Sequence, residues 1–228
     1  MTRKGGAWRR ERDTDAFFRE ARRRGLRSRA ALKLEAIDAR DHLFRDAQVV
    51  VDLGAAPGGW SQIARRALPP DGRVVALDIL EMEELAGVEF IQGDFRRDEV
   101  LRRLEAGVGR RTVDLVMSDM APNLSGMRVS DQARWRELAD CAAGFAACVL
   151  KPDGVFLVKL FQGEETASYL RMLRERFASV AVRKPTASRR QSSESYALVR
   201  GVNRAGRAAG TLESATGPNP RTLGAGLR

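Results

Sequence analysis

The chain has 228 residues, 43% of them hydrophobic, which is enough for one domain with a sizeable core. Its formal net charge is +10, and the excess lies at the ends, because residues 1–40 carry +7, residues 201–228 carry +3 and the segment between them is neutral. No apolar run has the roughly 18 residues of a membrane span, and no apolar segment follows the basic N-terminus. We therefore expect a cytoplasmic protein without a membrane span or a signal peptide.

Cysteine and histidine usage argues against a metal site. Cys141 and Cys148 lie seven residues apart in an alanine-rich helical pattern, which is typical of core packing rather than of a disulfide or a metal site. His42 is the only histidine. We therefore expect neither a bound metal nor histidine-based catalysis.

The predicted elements alternate between helices and strands. A helix from about residue 13 ends at Gly25, and a second helix, capped by Ser28, covers residues 29–39. The first helix carries a group of arginines, Arg19, Arg22, Arg23 and Arg24. Apolar runs then predict strands near residues 49–53, 73–78, 88–91, 113–117, 155–160, 180–183 and 196–199. Repeated strand–helix–strand units imply an α/β fold with a doubly wound, mostly parallel seven-stranded sheet, and the short last connection implies an antiparallel last strand.

The strand Val49–Leu53 leads into a glycine-rich turn, Gly54–Trp60, and a helical pattern follows from Ser61. Open α/β sheets bind ligands at such turns, and the small residues let a ligand approach the backbone. The G-x-G-x-x-G spacing of a dinucleotide site and the Gly-Lys-Ser/Thr of a phosphate-binding loop are both absent. The turn can therefore hold a nucleoside, but it shows no device for a phosphate.

Two acids at the same edge of the sheet complete a nucleoside site. Asp78 ends the second strand, where a carboxylate can accept hydrogen bonds from ribose hydroxyls, and Asp94 follows the third strand, near the expected base. Together with the glycine turn they suggest S-adenosylmethionine as the cofactor. The alternative, that these are ordinary turn residues at strand ends, stays open above all for Asp94.

Three polar residues interrupt apolar surroundings near that edge. Lys159 lies inside an apolar strand, Asp119 ends the neighbouring strand, and Glu194 enters the last one. Each alone would be an ordinary strand-end group, but together they predict a site for proton removal and positioning. The basic ends of the chain suit a polyanion, with nucleic acid the first candidate and acidic lipid the second.

Four stretches carry a resemblance to a known family: Arg27–Leu34, Asp52–Gln62, Ser118–Gly126 and Val158–Gly163. They are similar to the FtsJ family, and more narrowly to its bacterial heat-shock ribosomal RNA large-subunit methyltransferases, over about residues 8–200. The resemblance implies a class I S-adenosylmethionine-dependent methyltransferase fold, which is Rossmann-like. It also implies methyl transfer to a ribose 2′-oxygen, in bacteria that of a uridine in 23S rRNA.

The resemblance further implies roles for particular residues. The family's catalytic tetrad falls on Lys33, Asp119, Lys159 and Glu194. Its cofactor contacts fall on Gly58, Trp60, Asp78, Asp94 and Asp119. The chain would then divide into a basic RNA-binding extension (1–40), a methyltransferase domain (41–200) and a disordered tail (201–228), whose Gly, Ala and Pro content favours disorder.

The implied chemistry must align an in-line attack on an activated methyl group and remove one proton. A lysine ammonium has a reference pKa of about 10.4, so a lysine acts as a base at neutral pH only where its surroundings favour the neutral amine. Burial and the charge of Lys33 favour that form of Lys159, whereas Asp119 and Glu194 oppose it. We expect Lys159 to be the base that the two carboxylates orient, with Lys33 positioning the ribose or a phosphate. The alternative is a charged Lys159 that orients the hydroxyl and stabilises the developing oxyanion.

Three functions remain open at this point. The first is methylation of 23S rRNA by a monomer that binds the large ribosomal subunit. The second is methylation of tRNA or another transcript, and the third is non-catalytic rRNA binding during ribosome assembly. The intact tetrad and glycine turn disfavour the third function, and the missing dinucleotide spacing disfavours an NAD dehydrogenase.

Overall fold

The computed structural model describes residues 16–123, 125–185 and 194–212. Within these ranges seven strands form one sheet in the order β3-β2-β1-β4-β5-β7-β6. Their bounds are β1 Val49–Leu53, β2 Arg73–Asp78, β3 Val88–Gln92, β4 Val113–Ser118, β5 Leu150–Leu160, β6 Phe177–Arg183 and β7 Ser195–Val202. Strands β1 to β5 pair in parallel, and β7 runs antiparallel between β5 and β6. The predicted mostly parallel sheet with an antiparallel last strand is confirmed.

Helices cover both faces of the sheet. In the described ranges they are α1 Ala16–Arg23, α2 Ala30–Asp41, α3 Gly59–Ala67, α4 Asp98–Val108, α5 Arg128–Val149, α6 Glu164–Arg176 and α7 Arg204–Leu212. The core has one large cluster under α1, α2 and α3, another under α4, α5 and α6, and a small third cluster formed by Ala55, Ala76 and Met82. None of the helices in these ranges is long and apolar enough to cross a membrane.

The valine run of β1 occupies the centre of the sheet because its side chains pack into the core on both faces. Val50 packs in the cluster under α1–α3, whereas Val51 and Leu53 pack in the cluster under α4–α6, and all three are fully buried. Full burial of such a side chain is worth about 1.5–3 kcal/mol, and a strand that is apolar on both faces has no side to offer to water.

The strand order places a crevice beside β1. The chain builds outward from β1 through β2 and β3 and then returns to β4 on the other side of β1. Such a reversal opens a crevice at the carboxyl ends of the two central strands, where open α/β sheets bind ligands. The glycine turn after β1 and the loop that begins with Asp119 after β4 border this crevice.

The prediction of a disordered tail from Gly201 is wrong for the residues that the structure describes. Strand β7 extends past Gly201, and α7 packs against α5 and α6. Asn203 fixes this turn, because its side chain donates to the carbonyl of Glu175 and accepts from the N–H of Gly206. A Cβ at Gly206 would overlap the carbonyl oxygen of Arg176, so the small residues permit close packing. The start of the first predicted helix, before residue 16, and residues 213–228 lie outside the described ranges.

Candidate active site

Two neighbouring pockets open at the carboxyl ends of β1 and β4. The smaller pocket has a volume of about 300 Å³ and the larger about 580 Å³. Gly54, Ala56 and Asp119 line both of them. A group held in one pocket can therefore meet a group held in the other beside Asp119.

The smaller pocket brings together four charged side chains from separate elements. Lys33 belongs to α2 and Lys159 to β5, while Asp119 follows β4 and Glu194 directly precedes β7. The Nζ atom of Lys159 lies 3.2 Å from Oδ1 of Asp119 and 3.9 Å from Oε1 of Glu194. Lys33 forms an ion pair with Glu194. The structure thus assembles all four predicted tetrad residues, with the ammonium groups and carboxylates alternating.

Main-chain hydrogen bonds hold two of these residues in place. The N–H of Asp119 donates to the carbonyl of Leu53 at 3.2 Å, which ties it to the end of β1. The indole N–H of Trp135, a buried residue of α5, donates to the carbonyl of Lys159 at 3.1 Å. The lysine and the carboxylate are therefore presented from a fixed backbone, which a site of defined geometry requires.

Burial makes the pairing of Lys33 with Glu194 necessary. Lys33 is only 4% exposed, and a buried ammonium without a partner would be costly. Burial alone would raise the pKa of Glu194, but the hydrogen bond from Lys33 and the charges of Lys33 and Lys159 outweigh it and lower that pKa. Glu194 is therefore ionised at neutral pH and holds both lysines near it.

Tyr196 is a member of the site that the sequence did not predict. Its hydroxyl donates to Oδ1 of Asp119 at 3.1 Å, and its ring is fully buried. Burial, together with the charges of Asp119 and Glu194, raises the pKa of Tyr196 far above its usual value, so the hydroxyl stays protonated and donates. No sequence signal marked it, because an aromatic residue in an apolar strand is usually part of the core.

Asp78 lines the larger pocket with part of its acceptor capacity unused. Its Oδ1 accepts from the N–H of Leu80 at 2.8 Å, and its Oδ2 accepts from the N–H of Ala56 at 2.9 Å. A carboxylate has about four acceptor positions, so two remain for a ligand. That number matches the two hydroxyls of a ribose.

Asp94 lines the same pocket and is paired with Arg96. The guanidinium donates to both oxygens, at 3.0 and 2.7 Å, and the backbone N–H of Arg96 donates to Oδ1 at 3.0 Å. The side-chain bond from Arg96 lowers the pKa of Asp94, so the carboxylate is ionised and keeps about one acceptor position for an amino group of a base. Ile79 and Leu80, which are 60% and 64% exposed, add apolar surface for a flat ring. These residues fit a nucleoside with a free ribose diol and an amino-bearing base.

The glycines of the turn accommodate other parts of the chain as much as a ligand. A Cβ at Gly54 would lie 2.8 Å from a side chain in the loop after β4, and one at Gly58 would lie 3.0 Å from the guanidinium of Arg27. A Cβ at Gly59 would overlap the hydroxyl of Ser28. Gly58, an expected cofactor contact, lines neither pocket. Ser28, the predicted cap of α2, makes this contact instead, and α2 begins without a side-chain cap hydrogen bond.

Hydrogen bonds join the N-terminal segment to the glycine turn. The N–H of Arg27 donates to the side-chain oxygen of Gln62 at 3.1 Å, and the Gln62 amide donates back to the carbonyl of Gly25 at 3.0 Å. The guanidinium of Arg27 donates to the carbonyls of Glu83 and Glu84, each at 2.6 Å. We call this set of contacts the N-terminal clasp. The side-chain donors of Arg27 are therefore occupied within the protein, although its place in the basic N-terminal segment suggested a contact with RNA.

Trp60, the remaining expected cofactor contact, lines the smaller pocket and not the larger one. Its indole N–H donates to the carbonyl of Ala30 at 2.8 Å, and its ring centroid lies 5.5 Å from that of Tyr196. Trp60 therefore packs against a residue that bonds to Asp119.

A carboxyl group lies beneath the glycine turn. Asp52 in β1 is fully buried, and its Oδ2 accepts a 2.6 Å hydrogen bond from the hydroxyl of Ser61. Its Oδ1 has no hydrogen-bond partner in the part of the chain that the structure describes. Burial raises the pKa of Asp52 to about 7, which the Ser61 bond opposes and the charges of Asp119 and Asp78 reinforce. The sequence feature that could have identified this group is an acidic residue directly after three valines in a buried strand.

Comparisons with known proteins agree with this geometry. The sequence model of the FtsJ-like methyltransferase family matches residues 26–202. A protein named ribosomal RNA large subunit methyltransferase E from Dechloromonas aromatica (strain RCB) is 54% identical over 199 residues, which cover 87% of this chain and 97% of that protein. A protein of the same name from Xanthomonas oryzae pv. oryzae (strain PXO99A) is 55% identical over 194 residues, which cover 85% of this chain and 92% of that one.

A solved structure shows the same fold. It is a crystal structure of a protein described as a ribosomal RNA methyltransferase from Plasmodium falciparum, with a TM-score of 0.67 at 24% identity, covering 77% of this chain and 98% of that one. The family match includes the whole sheet and both pockets, and the identity to the bacterial relatives extends over most of the chain. This chain therefore belongs to the FtsJ-like methyltransferase family.

Proposed function

We propose that this enzyme transfers the methyl group of S-adenosylmethionine to the ribose 2′-oxygen of a uridine in the 23S rRNA of the large ribosomal subunit. Its family membership and the names of relatives that are 54% and 55% identical support this reaction. The observation that carries the proposal is the common wall of the two pockets, formed by Gly54, Ala56 and Asp119. A methyl donor in the larger pocket and a hydroxyl in the smaller one meet there.

The larger pocket is the proposed cofactor site. Asp78 would accept hydrogen bonds from the ribose hydroxyls and Asp94 from the amino group of adenine, and the volume of about 580 Å³ is typical of a small-molecule site. When bound, S-adenosylmethionine supplies a methyl group that its positively charged sulfur already activates. The protein therefore has to position the acceptor and handle one proton.

The smaller pocket is the proposed place of proton removal. Lys159 takes the proton of the 2′-hydroxyl, and Asp119 at 3.2 Å and Glu194 at 3.9 Å orient its amine. Lys33 positions the ribose or an adjacent phosphate, and Tyr196 fixes Asp119 through its hydroxyl.

The proposed RNA surface includes the exposed side of α1. Arg23 and Arg24 pair with glutamates of α1 and α2. Arg19 and Arg22 form no ion pair with a residue that the structure describes, so their charges are available to phosphates. Phosphate contacts of this kind supply affinity and orientation rather than sequence recognition.

Mapping of ribose methylation in total RNA from a deletion strain tests the proposal. We expect one uridine of 23S rRNA to lose its methyl group, and a gene for the wild-type enzyme, but not for Lys159→Ala, to restore it. If a methyl group is lost from tRNA or another transcript instead, that RNA is the substrate and the proposed chemistry is unchanged. An unchanged map in all RNA would contradict RNA methylation and favour a binding role in ribosome assembly. Purified enzyme with naked 23S rRNA and with large subunits then identifies the form that is methylated.

A further inference from the structure

Asp52 is a buried ionisable group that the proposed reaction does not use. It alternates with Val51 and Leu53 along β1, so its side chain lies on the opposite face, towards α3. The residue is 0% exposed, and only Oδ2 has a partner, the hydroxyl of Ser61, whereas Oδ1 is buried without one among the described residues. An ionised carboxylate in this position loses its hydration and regains hydrogen bonds from Ser61 alone, which favours the neutral acid.

The charges around Asp52 reinforce this preference. Asp78 ends β2 and Asp119 follows β4, the two strands that flank β1, and both carboxylates oppose the ionisation of Asp52. Lys33 and Lys159 are already paired with carboxylates of the smaller pocket. Burial and the neighbouring acids raise the pKa of Asp52 to about 7, so a change in nearby charge alters its protonation at neutral pH.

We propose that Asp52 holds a proton in the ligand-free enzyme and releases it to solvent when the positively charged S-adenosylmethionine binds, so that this residue helps the site to distinguish the cofactor from its product. The inference rests on the proposed function, because it requires this cofactor. S-adenosylmethionine carries one more positive charge than S-adenosylhomocysteine, on the sulfur that loses the methyl group. A buried carboxyl that responds to this charge therefore contributes to specificity without touching the ligand.

The proximity of Asp52 to the pockets sets the size of the effect. Gly54 lines both pockets and is two residues from Asp52, which is about 7 Å along a strand. A unit charge at about 7–10 Å changes the pKa of a carboxyl by roughly one unit at the effective dielectric constant of a protein. At pH 7 this corresponds to the release of roughly 0.4 proton, and the preference for the cofactor over its product rises with pH by up to about tenfold.

Calorimetry in buffers of different ionisation enthalpy measures the protons released on binding. With the wild-type enzyme at pH 7, S-adenosylmethionine should release roughly 0.4 proton more than S-adenosylhomocysteine. In Asp52→Asn this difference should vanish, because the amide resembles the neutral acid and cannot ionise. Protons from the ligands themselves are the same for both enzymes, so the comparison of the two enzymes removes them.

Ser61→Ala provides a second variant that keeps the carboxyl group. The Ser61 hydroxyl favours the ionised form of Asp52, so its loss should move the pH of maximal proton release upward. Equal proton release for both ligands in the wild type, a difference that persists in Asp52→Asn, or an unchanged pH profile in Ser61→Ala would each overturn the inference. If Asp52→Asn does not fold, Ser61→Ala alone decides. Failure of the wild type to bind S-adenosylmethionine at all would overturn the proposed function as well, which distinguishes the two failures.

Discussion

The Nζ atom of Lys159 lies 3.2 Å from Oδ1 of Asp119, and this pair stands at the boundary between the two pockets. Lys159 lines only the smaller pocket, whereas Asp119 lines both. The group proposed to take the proton is therefore held by the residue that also borders the proposed methyl donor. In the proposed reaction, one carboxylate therefore borders both the place of proton removal and the place of methyl transfer.

Replacement of Lys159 should separate catalysis from cofactor binding. Lys159→Ala should abolish methyl transfer and leave S-adenosylmethionine affinity within severalfold, because the side chain does not line the larger pocket. Lys159→Arg should not restore activity, since arginine cannot lose its proton in a protein. Lys151→Ala is the matched control, because Lys151 belongs to the same strand and pairs with Asp114 at 2.6 Å, outside both pockets. Substantial activity in the arginine variant would contradict the base and support a charged lysine that orients the hydroxyl.

Replacement of Asp78 should weaken cofactor binding. Asp78→Ala removes the acceptors proposed for the ribose, and each charge-assisted hydrogen bond is worth about 1.5–3 kcal/mol, so affinity should fall by one to a few powers of ten. Asp71→Ala, an exposed change in the turn before β2, should leave affinity unchanged. Calorimetry with S-adenosylmethionine and with NAD measures both effects. Tight NAD binding, or an Asp78→Ala variant of wild-type affinity, would refute the assignment of the pocket.

Removal of Arg19 and Arg22, which form no ion pair with a described residue, should change the salt dependence of RNA binding. Each lost phosphate contact lowers the log–log slope by roughly 0.7–0.9, so Arg19→Gln with Arg22→Gln should flatten it by up to about 1.8. The matched control is Arg171→Gln with Arg174→Gln, which removes the same charge from exposed positions of α6 on the other face of the sheet. RNA affinity measured at several salt concentrations gives the slope for the wild type and both double variants. Equal slopes for both double variants would place the RNA surface elsewhere.

The stability of the ligand-free protein should depend on Asp52 and on pH. The pKa of this group is 3.8 in its reference state and about 7 when buried, so the protonated form favours folding. This contribution is complete below about pH 4 and is lost as pH rises through 7. Asp52→Asn suffers no such loss, so its free energy of unfolding relative to wild type should increase between pH 5 and pH 8, by at most about 3 kcal/mol, because about two of the three pKa units fall in this range. Urea unfolding at both pH values measures this increase, and a difference that does not vary with pH would contradict the buried acid.

Gly59 offers a test of the contact between Ser28 and the glycine turn. Gly59→Ala places a methyl group on the Ser28 hydroxyl and should destabilise the protein by about 1–3 kcal/mol. The combination with Ser28→Gly should recover much of this loss, because the overlapping side chain is gone. Gly107→Ala in α4, where a Cβ meets open space, should be neutral or stabilising by up to about 1 kcal/mol. Denaturant unfolding of all four proteins provides the comparison, and no recovery in the double variant would show that the contact is not the cause.

Local patterns predicted the sheet well because each strand is an apolar run that ends in a turn. The polar residues at strand ends, Asp78, Asp119 and Lys159, were also visible in this way, since the carboxyl ends of parallel strands share one edge. Lys33 was different. It lies inside a helix, and its partner Glu194 is 161 residues away, so only the family resemblance could connect them.

The glycines of the turn show which information a local sequence pattern lacks. A glycine that admits a ligand and one that admits another segment of the same chain look alike in sequence, and Gly58 and Gly59 are of the second kind. Tyr196 was missed for a similar reason, because an aromatic residue in a strand is usually core. Its hydroxyl contact with Asp119 depends on the order of the strands, because β7 lies beside β5 and β5 separates it from β4.

The N-terminal clasp limits how the enzyme can be recombined. Residues 25–33 include Lys33 and pack on the turn that contains Gly58 and Gly59, so the basic N-terminal arm is continuous with the glycine turn. A chimaera that takes this arm from one relative and the turn from another would place unmatched side chains at Arg27, Ser28 and Gln62. The two segments must therefore be exchanged together. If the arm contacts RNA, as proposed, a change of RNA target through the arm has to preserve its contacts with the glycine turn.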